Sequence, residues 1–332
     1  MEPEPRRRYL CPMREHVKTT KRAAAILLAL CLPGMMGGCG EDGLDQSAAA
    51  VAAAPSDELA PRYLRDYLYL GERDGSPLAV PFSFRAIERG DSIERSVRAG
   101  LAHGETWDPF IDESWSTQPE SGVWRVLPHG ELRVAVGGPA DLEAFWFQRG
   151  ERSLRLDLER PLSSWHEGNA TRYRLISGRL RLGAEATRGV ILESLQVRRP
   201  GAGARDSDLI FVTSGDSIRL LIGESPQRDR QPSRGFAVGW LPQGERSWER
   251  AEIRWLERRA FDEARRDIPL HWSFRIPEAG IMGEVSALGM DARAGRESPG
   301  RRAVEIHYTV EGWIEINEIR SPIMGVVRHV QE

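Results

Sequence analysis

The chain has 332 residues and a formal net charge of −3, from 46 Lys and Arg against 49 Asp and Glu; without the seven cations and three acids of residues 1–38 it carries 39 against 46, a net −7. Arginines that alternate with carboxylates along an acidic chain exclude the basic, aromatic-lined face that nucleic acid needs. All three cysteines fall within the first 39 residues and no lysine follows Lys21. Beyond the leader and Cys39, then, there is no disulfide, thiolate metal site, cysteine nucleophile, Schiff-base lysine, P-loop lysine or Ser-Lys dyad.

Residues 1–38 have the layout of a secretory signal peptide. Cations at Arg14, Lys18, Lys21 and Arg22 precede the apolar run 23–32, and the small residues Gly37 and Gly38 close it. The run is shorter than the roughly 20 apolar residues a spanning helix requires, so a cleaved leader is expected, with Met13 a more conventional start than Met1. The stretch Met36-Gly37-Gly38-Cys39 resembles the lipobox of bacterial lipoproteins, in which the cysteine is diacylated and becomes the new N-terminus. The resemblance implies lipidation of Cys39; Cys31 follows the bulky Leu30, where a small residue is required. Two acyl chains, at about 0.8 kcal/mol per buried CH₂, give stable attachment. The expected location is the bacterial cell envelope, with the membrane as partner and the body facing the periplasm. Glu41 leaves inner and outer membrane both open.

Residues 39–60, rich in alanine and without an apolar period, read as a lipidated flexible tether. The body runs from 61 to 332, long enough for one large β domain or for two halves dividing near 200–207, at Pro200-Gly201-Ala202-Gly203-Ala204. Residues 56–70 fit either a short helix or a strand bearing Tyr63, Tyr67 and Tyr69. Beyond them the period is two: Leu132, Val134 and Val136, then Leu154, Leu156 and Leu158, Ile218, Leu220 and Ile222, and Trp272, Phe274 and Ile276. Such alternation predicts strands buried on one face, as in antiparallel sheets. Turn clusters at Pro128-His129-Gly130, Arg149-Gly150-Glu151, Gly183-Ala184, Ser214-Gly215-Asp216 and Pro242-Gln243-Gly244 recur at hairpin spacing. Only 260–268 reads as a helical turn or two.

The clearest strand is 304–317. Its even positions, from Val304 to Ile316, are one unbroken apolar face; its odd positions include Glu305, His307, Glu311, Trp313 and Glu315. A slip of one residue would exchange the faces, so the register is fixed. Trp313 between Glu311 and Glu315 resembles the ring and acids of a sugar site. The two acids stand about 13 Å apart on one strand, too far for a glycosidase pair without an acid from elsewhere. His307, Glu311 and Glu315 are the catalytic candidates, and Trp313, Trp107 and Trp115 the ligand platforms; the alternative is a solvated face.

The segment 107–115, with Trp107, Asp108, Asp112, Glu113 and Trp115, reads as an acidic loop whose spacing matches no calcium pattern. Ser163-Ser164-Trp165-His166 lacks a nucleophile elbow, and no His-x-x-x-His pair occurs. No metal and no cofactor is expected. His103, His129, His271 and His329 stand alone and read as structural.

The C-terminal run Ile306-His307-Tyr308-Thr309-Val310-Glu311-Gly312-Trp313, with Pro322-Ile323-Met324-Gly325 and the closing 326–330, is similar to the end of the lipocalin-like carotenoid hydratase group, with Val310 where that group has Trp. The resemblance implies two β-barrel halves around an apolar ligand. The fold class is therefore all-β: an antiparallel β-sandwich or two packed lipocalin-like barrels with little helix. The leading functional expectation is a non-enzymatic module binding a small apolar or carbohydrate ligand. The alternatives are a carboxylate-dependent hydrolase, lyase or hydratase, and an envelope scaffold.

Overall fold

A computed structural model of the protein describes residues 60–137, 141–167, 171–199, 207–215, 217–224, 235–297 and 302–331. Cys39, the leader, the loop 200–206 and all of the tether but Ala60 lie outside the described residues. The alternating sequence folds as strands. β1 (Arg62–Arg73), β2 (Ser76–Arg89), β3 (Ser92–His103), β4 (Thr106–Thr117), β5 (Leu132–Val136), β6 (Leu142–Arg149), β7 (Arg152–Glu167), β8 (Thr171–Leu182) and β9 (Glu185–Arg198) form one sheet. Its order is β4-β3-β2-β1-β9-β8-β7-β6-β5, so β9 returns beside β1. β10 (Ser207–Ser214), β11 (Ile218–Glu224), β12 (Gly235–Leu241), β13 (Gly244–Phe261), β14 (Arg266–Ile276), β15 (Ile281–Glu297), β16 (Arg302–Ile316) and β17 (Ile319–Gln331) form a barrel closed by the antiparallel pair β10 and β17.

Three cores follow from this arrangement. Tyr67, Phe82, Phe110, Leu132, Phe145 and Leu156 come from six strands yet form one cluster, so the first sheet curls around its own core, which Val126 of the β4–β5 connection also joins. Across the mouth of the curl, Arg152 meets Asp108 at 2.5 Å, and Glu113 receives Arg149 at 3.5 Å and His129 at 3.3 Å. The barrel interior holds Ile210, Leu220, Trp272, Val285, Tyr308 and Val327. The third core lies between the sheets, with Leu68, Leu70, Leu175 and Leu192 on one side and Phe211, Leu221, Val238 and Val326 on the other. Each fully buried side chain of this size contributes roughly 1.5–3 kcal/mol.

The third core explains where the strands depart from one-sided burial. Residues 78–84 of β2 are buried without interruption, as are residues 210–212 of β10 and 220–222 of β11, because these strands face a core on each side. Two local expectations are corrected. Residues 107–115 are not a loop but most of β4, an edge strand; there Pro109 costs no ladder bond, and a bulge opposite Ala99 and Gly100 lets the consecutive Phe110 and Ile111 both turn inward. Residues 260–268 are not helical: they make the β13–β14 hairpin turn, where buried Ala264 and Ile268 reproduce a helical spacing by chance.

At one end of the barrel the connections are tight. β16 and β17 are joined by Asn317 and Glu318 alone, both left-handed with φ of 51° and 66°. At the other end lies the β13–β14 turn. The sheets also interlock at Gly289, where any side chain would strike the Glu105 carbonyl of the β3–β4 turn. Thr309 Oγ1 donates to the neighbouring Gly104 carbonyl at 2.6 Å.

Candidate functional site

At the end of the barrel that carries the β13–β14 turn, Asp208 of β10 stands in register opposite His329 of β17. Asp208 shares parity with Ile210 and Val212, and His329 with Val327, all in the barrel core; both polar side chains therefore point inward. His329 Nδ1 donates to Asp208 Oδ1 at 2.6 Å, and Trp255 Nε1 donates to Asp208 Oδ2 at 2.6 Å. Asp208 is 2 % exposed and His329 0 %. A carboxylate on Nδ1–H fixes the tautomer and leaves Nε2 as the acceptor, yet this Nε2 has no hydrogen-bond partner.

The Tyr308 hydroxyl, Trp272 Nε1 and Gln331 Oε1 are likewise buried without partners. Burial, with the Asp208 charge second and against the pull of Arg259, raises the Tyr308 pKa, so the phenol stays protonated and able to donate. Trp272 sets its edge against Tyr308 with ring centroids 5.0 Å apart, and Trp255 does so against His329 at 5.3 Å. Native interiors leave few polar atoms unsatisfied. Four such atoms stand in the barrel interior, among apolar side chains that include Ile210 and Trp272. The β13–β14 turn covers this end: Ala264 is part of the core, its carbonyl accepts from Arg302 N at 3.3 Å, and Gln331 Nε2 donates to the Asp267 carbonyl at 3.0 Å.

The sequence-predicted residues do not converge on one site. His307 is 5 % exposed and faces the first sheet, where its ring lies 6.5 Å from that of Trp107; these two candidates do meet. Beside His307, Glu305 takes ion pairs from Arg85 and, at 3.0 Å, from Arg328, which also reaches Asp66 at 3.0 Å. Burial acts to raise the Glu305 pKa, but Arg85 and Arg328 outweigh it and hold the carboxyl well below the usual range. Burial pushes His307 down to about 3, against the attraction of Glu305, so its ring is neutral. This network joins the two sheets. Glu311 is exposed and Glu315 half-buried farther along β16, while Trp313 lies under the Arg320 guanidinium at 3.9 Å. Trp115 is apart from all of these, stacked on His129 with centroids 4.2 Å apart.

A second buried carboxylate is Glu193, 0 % exposed, which accepts from Arg65 at 2.8 Å and from Arg174, with the Tyr67 hydroxyl beside it. Burial favours its neutral form, but Arg65 and Arg174 win and its pKa is lowered. With both oxygens taken, Glu193 locks the first sheet and is not free for chemistry. Asp208, Tyr308 and Trp255 were missed as site residues, and His329 was read as structural. The signal was present in parity: Asp208 continues the inward row of Ile210 and Val212, and His329 that of Val327. What the sequence does not show is that β10 and β17 pair, 121 positions apart.

The fold is all-β and lipocalin-like, built of two curled antiparallel sheets. No protein-family model matches the chain, and no curated protein matches it. Among solved structures it is similar to a protein of Nitrosomonas europaea provisionally assigned as AttH, with a TM-score of 0.57 and 10 % identity over 87 % of this chain and 98 % of that one. It is also similar to kievitone hydratase from Nectria haematococca, with a TM-score of 0.53 and 12 % identity over 85 % of this chain and 95 % of that one. At such identities the likeness is one of fold.

Proposed function

We propose that the protein is an envelope lipoprotein, anchored through Cys39, whose barrel takes a small apolar molecule and adds water across, or removes it from, a carbon–carbon double bond. One observation carries this reading: a buried Asp208–His329 pair whose Nε2 is unpartnered, in the barrel interior that also holds the protonated Tyr308 hydroxyl, which feels the Asp208 charge. In the hydration direction, water gives a proton to Nε2 as its oxygen bonds one carbon, and the imidazolium returns that proton to the neighbouring carbon. Asp208 orients the ring and stabilises its cationic form. Tyr308 donates a hydrogen bond to oxygen on the substrate, and the apolar walls strengthen each of these contacts. A hydratase on the same general fold, kievitone hydratase, is consistent with this chemistry but does not carry it.

The test is a mass-spectrometric search for products 18 Da heavier or lighter, using the full chain and a panel of apolar alkenes, enones and alcohols. A turnover that falls at least about 100-fold in both His329→Gln and Asp208→Asn supports the reading, since acid–base groups typically contribute 10²–10⁴-fold. A panel without turnover, or full activity in His329→Gln, overturns it. Anchoring is tested separately by intact mass: a diacylglyceryl adduct on Cys39 is expected, and an unmodified chain retaining Met13 would refute it.

A further inference from the structure

We propose that a depression between strands β1–β3 and the β4–β5 connection is a second ligand site, taking a small aromatic carboxylate. β1, β2, β3, the end of β4 and the connection to β5 enclose a small depression lined by Tyr63, Arg65, Arg95, Trp115, Trp124 and Arg125, with Arg85 at its side and no carboxylate in the lining. Of these four guanidiniums, Arg65 is neutralised by Glu193 and Arg85 by Glu305. The other two have no acidic partner among the described residues.

Arg95 is 5 % exposed and spends its donors on neutral acceptors: Thr117 Oγ1 at 2.9 Å, Ser121 Oγ at 3.0 Å, and the Gly122 and Arg125 carbonyls at 2.6 and 2.7 Å. It pins the β4–β5 connection yet keeps its charge. Burial, then the charge of Arg125, lowers its pKa. Arg125 is exposed, and no hydrogen bond or ion pair of its side chain occurs among the described residues. Its planar fork matches a carboxylate. Beside it stand aromatic rings: Tyr63 and Trp124 meet edge to face at 5.2 Å, and Trp115, stacked on His129, also lines the depression. A carboxylate would restore the charge balance at Arg125 while its ring rests on Trp124. This site uses other residues in the other sheet and does not depend on the acid–base reading.

The experiment titrates the full chain with 2-naphthoate and, in parallel, with neutral 2-naphthalenemethanol, following tryptophan fluorescence and calorimetric heat. Naphthoate is expected to bind at least about tenfold more tightly than the alcohol, the size of one charge-assisted hydrogen bond. The preference should fall with added salt and vanish in Arg125→Gln, an exposed change that leaves the core alone. His329→Gln should leave the titration unchanged. Equal affinity for acid and alcohol, an unaltered Arg125→Gln, loss of binding in His329→Gln, or displacement by equimolar inorganic phosphate would each overturn the assignment.

Discussion

His307 shows how a residue chosen for its chemistry can be set by its surroundings. Buried against Arg85, Arg98 and Arg328 and beside Glu305, it is held neutral down to about pH 3, whereas in the unfolded chain it takes a proton near its ordinary value of 6.5. Between those limits the unfolded state binds the extra proton, so acidification destabilises the fold from about pH 6.5 downward. Glu305 acts in the same direction lower down, because its lowered pKa gives stability that is lost as pH falls below the usual carboxylate range. His307→Gln is therefore expected to flatten the dependence of urea-unfolding free energy on pH between 6 and 5, by up to about 1.4 kcal/mol per pH unit. An unchanged slope would show that His307 titrates alike in both states.

Among the elements, the β16–β17 hairpin is the most completely specified. The even positions of β16 line the barrel, while its odd positions face the first sheet as far as Thr309 and lie outside the cores beyond Gly312. Its turn places two non-glycine residues in left-handed backbone, where two-residue hairpins favour Asn-Gly. Glu318→Gly is expected to stabilise the protein by about 1 kcal/mol, read as a rise in melting temperature. A fall would mean that the Glu318 side chain contributes more than the backbone strain costs. Alternation and turn residues made the all-β class and most hairpins legible in the sequence. The double burial of β2 and β10 was not, because a continuous apolar run such as 78–82 reveals no face. Nor was the site: Asp208 and His329 each look incidental until the barrel closes and puts them side by side.

At the level of the molecule, the core between the sheets decides whether the two behave as one. Phe211 is fully buried there, and Phe211→Ala is expected to cost about 3–5 kcal/mol and to separate the unfolding transitions seen by fluorescence and circular dichroism. A loss under about 1 kcal/mol with coincident transitions would mean that the ionic contacts of Arg328 and Glu305 suffice to join the sheets. The sheets also differ in how each shuts upon itself. β10 and β17 close the barrel with a backbone ladder that dissolved ions do not reach. The curl of the first sheet, beyond its apolar core, is bridged at the rim by Arg152, Arg149 and their partly exposed acids, whose attraction weakens over a Debye length of about 8 Å at physiological ionic strength. Electrolyte thus works as a one-sided lever, slackening the rim that bears Asp108 and Glu113 while the barrel around His329 stays sealed.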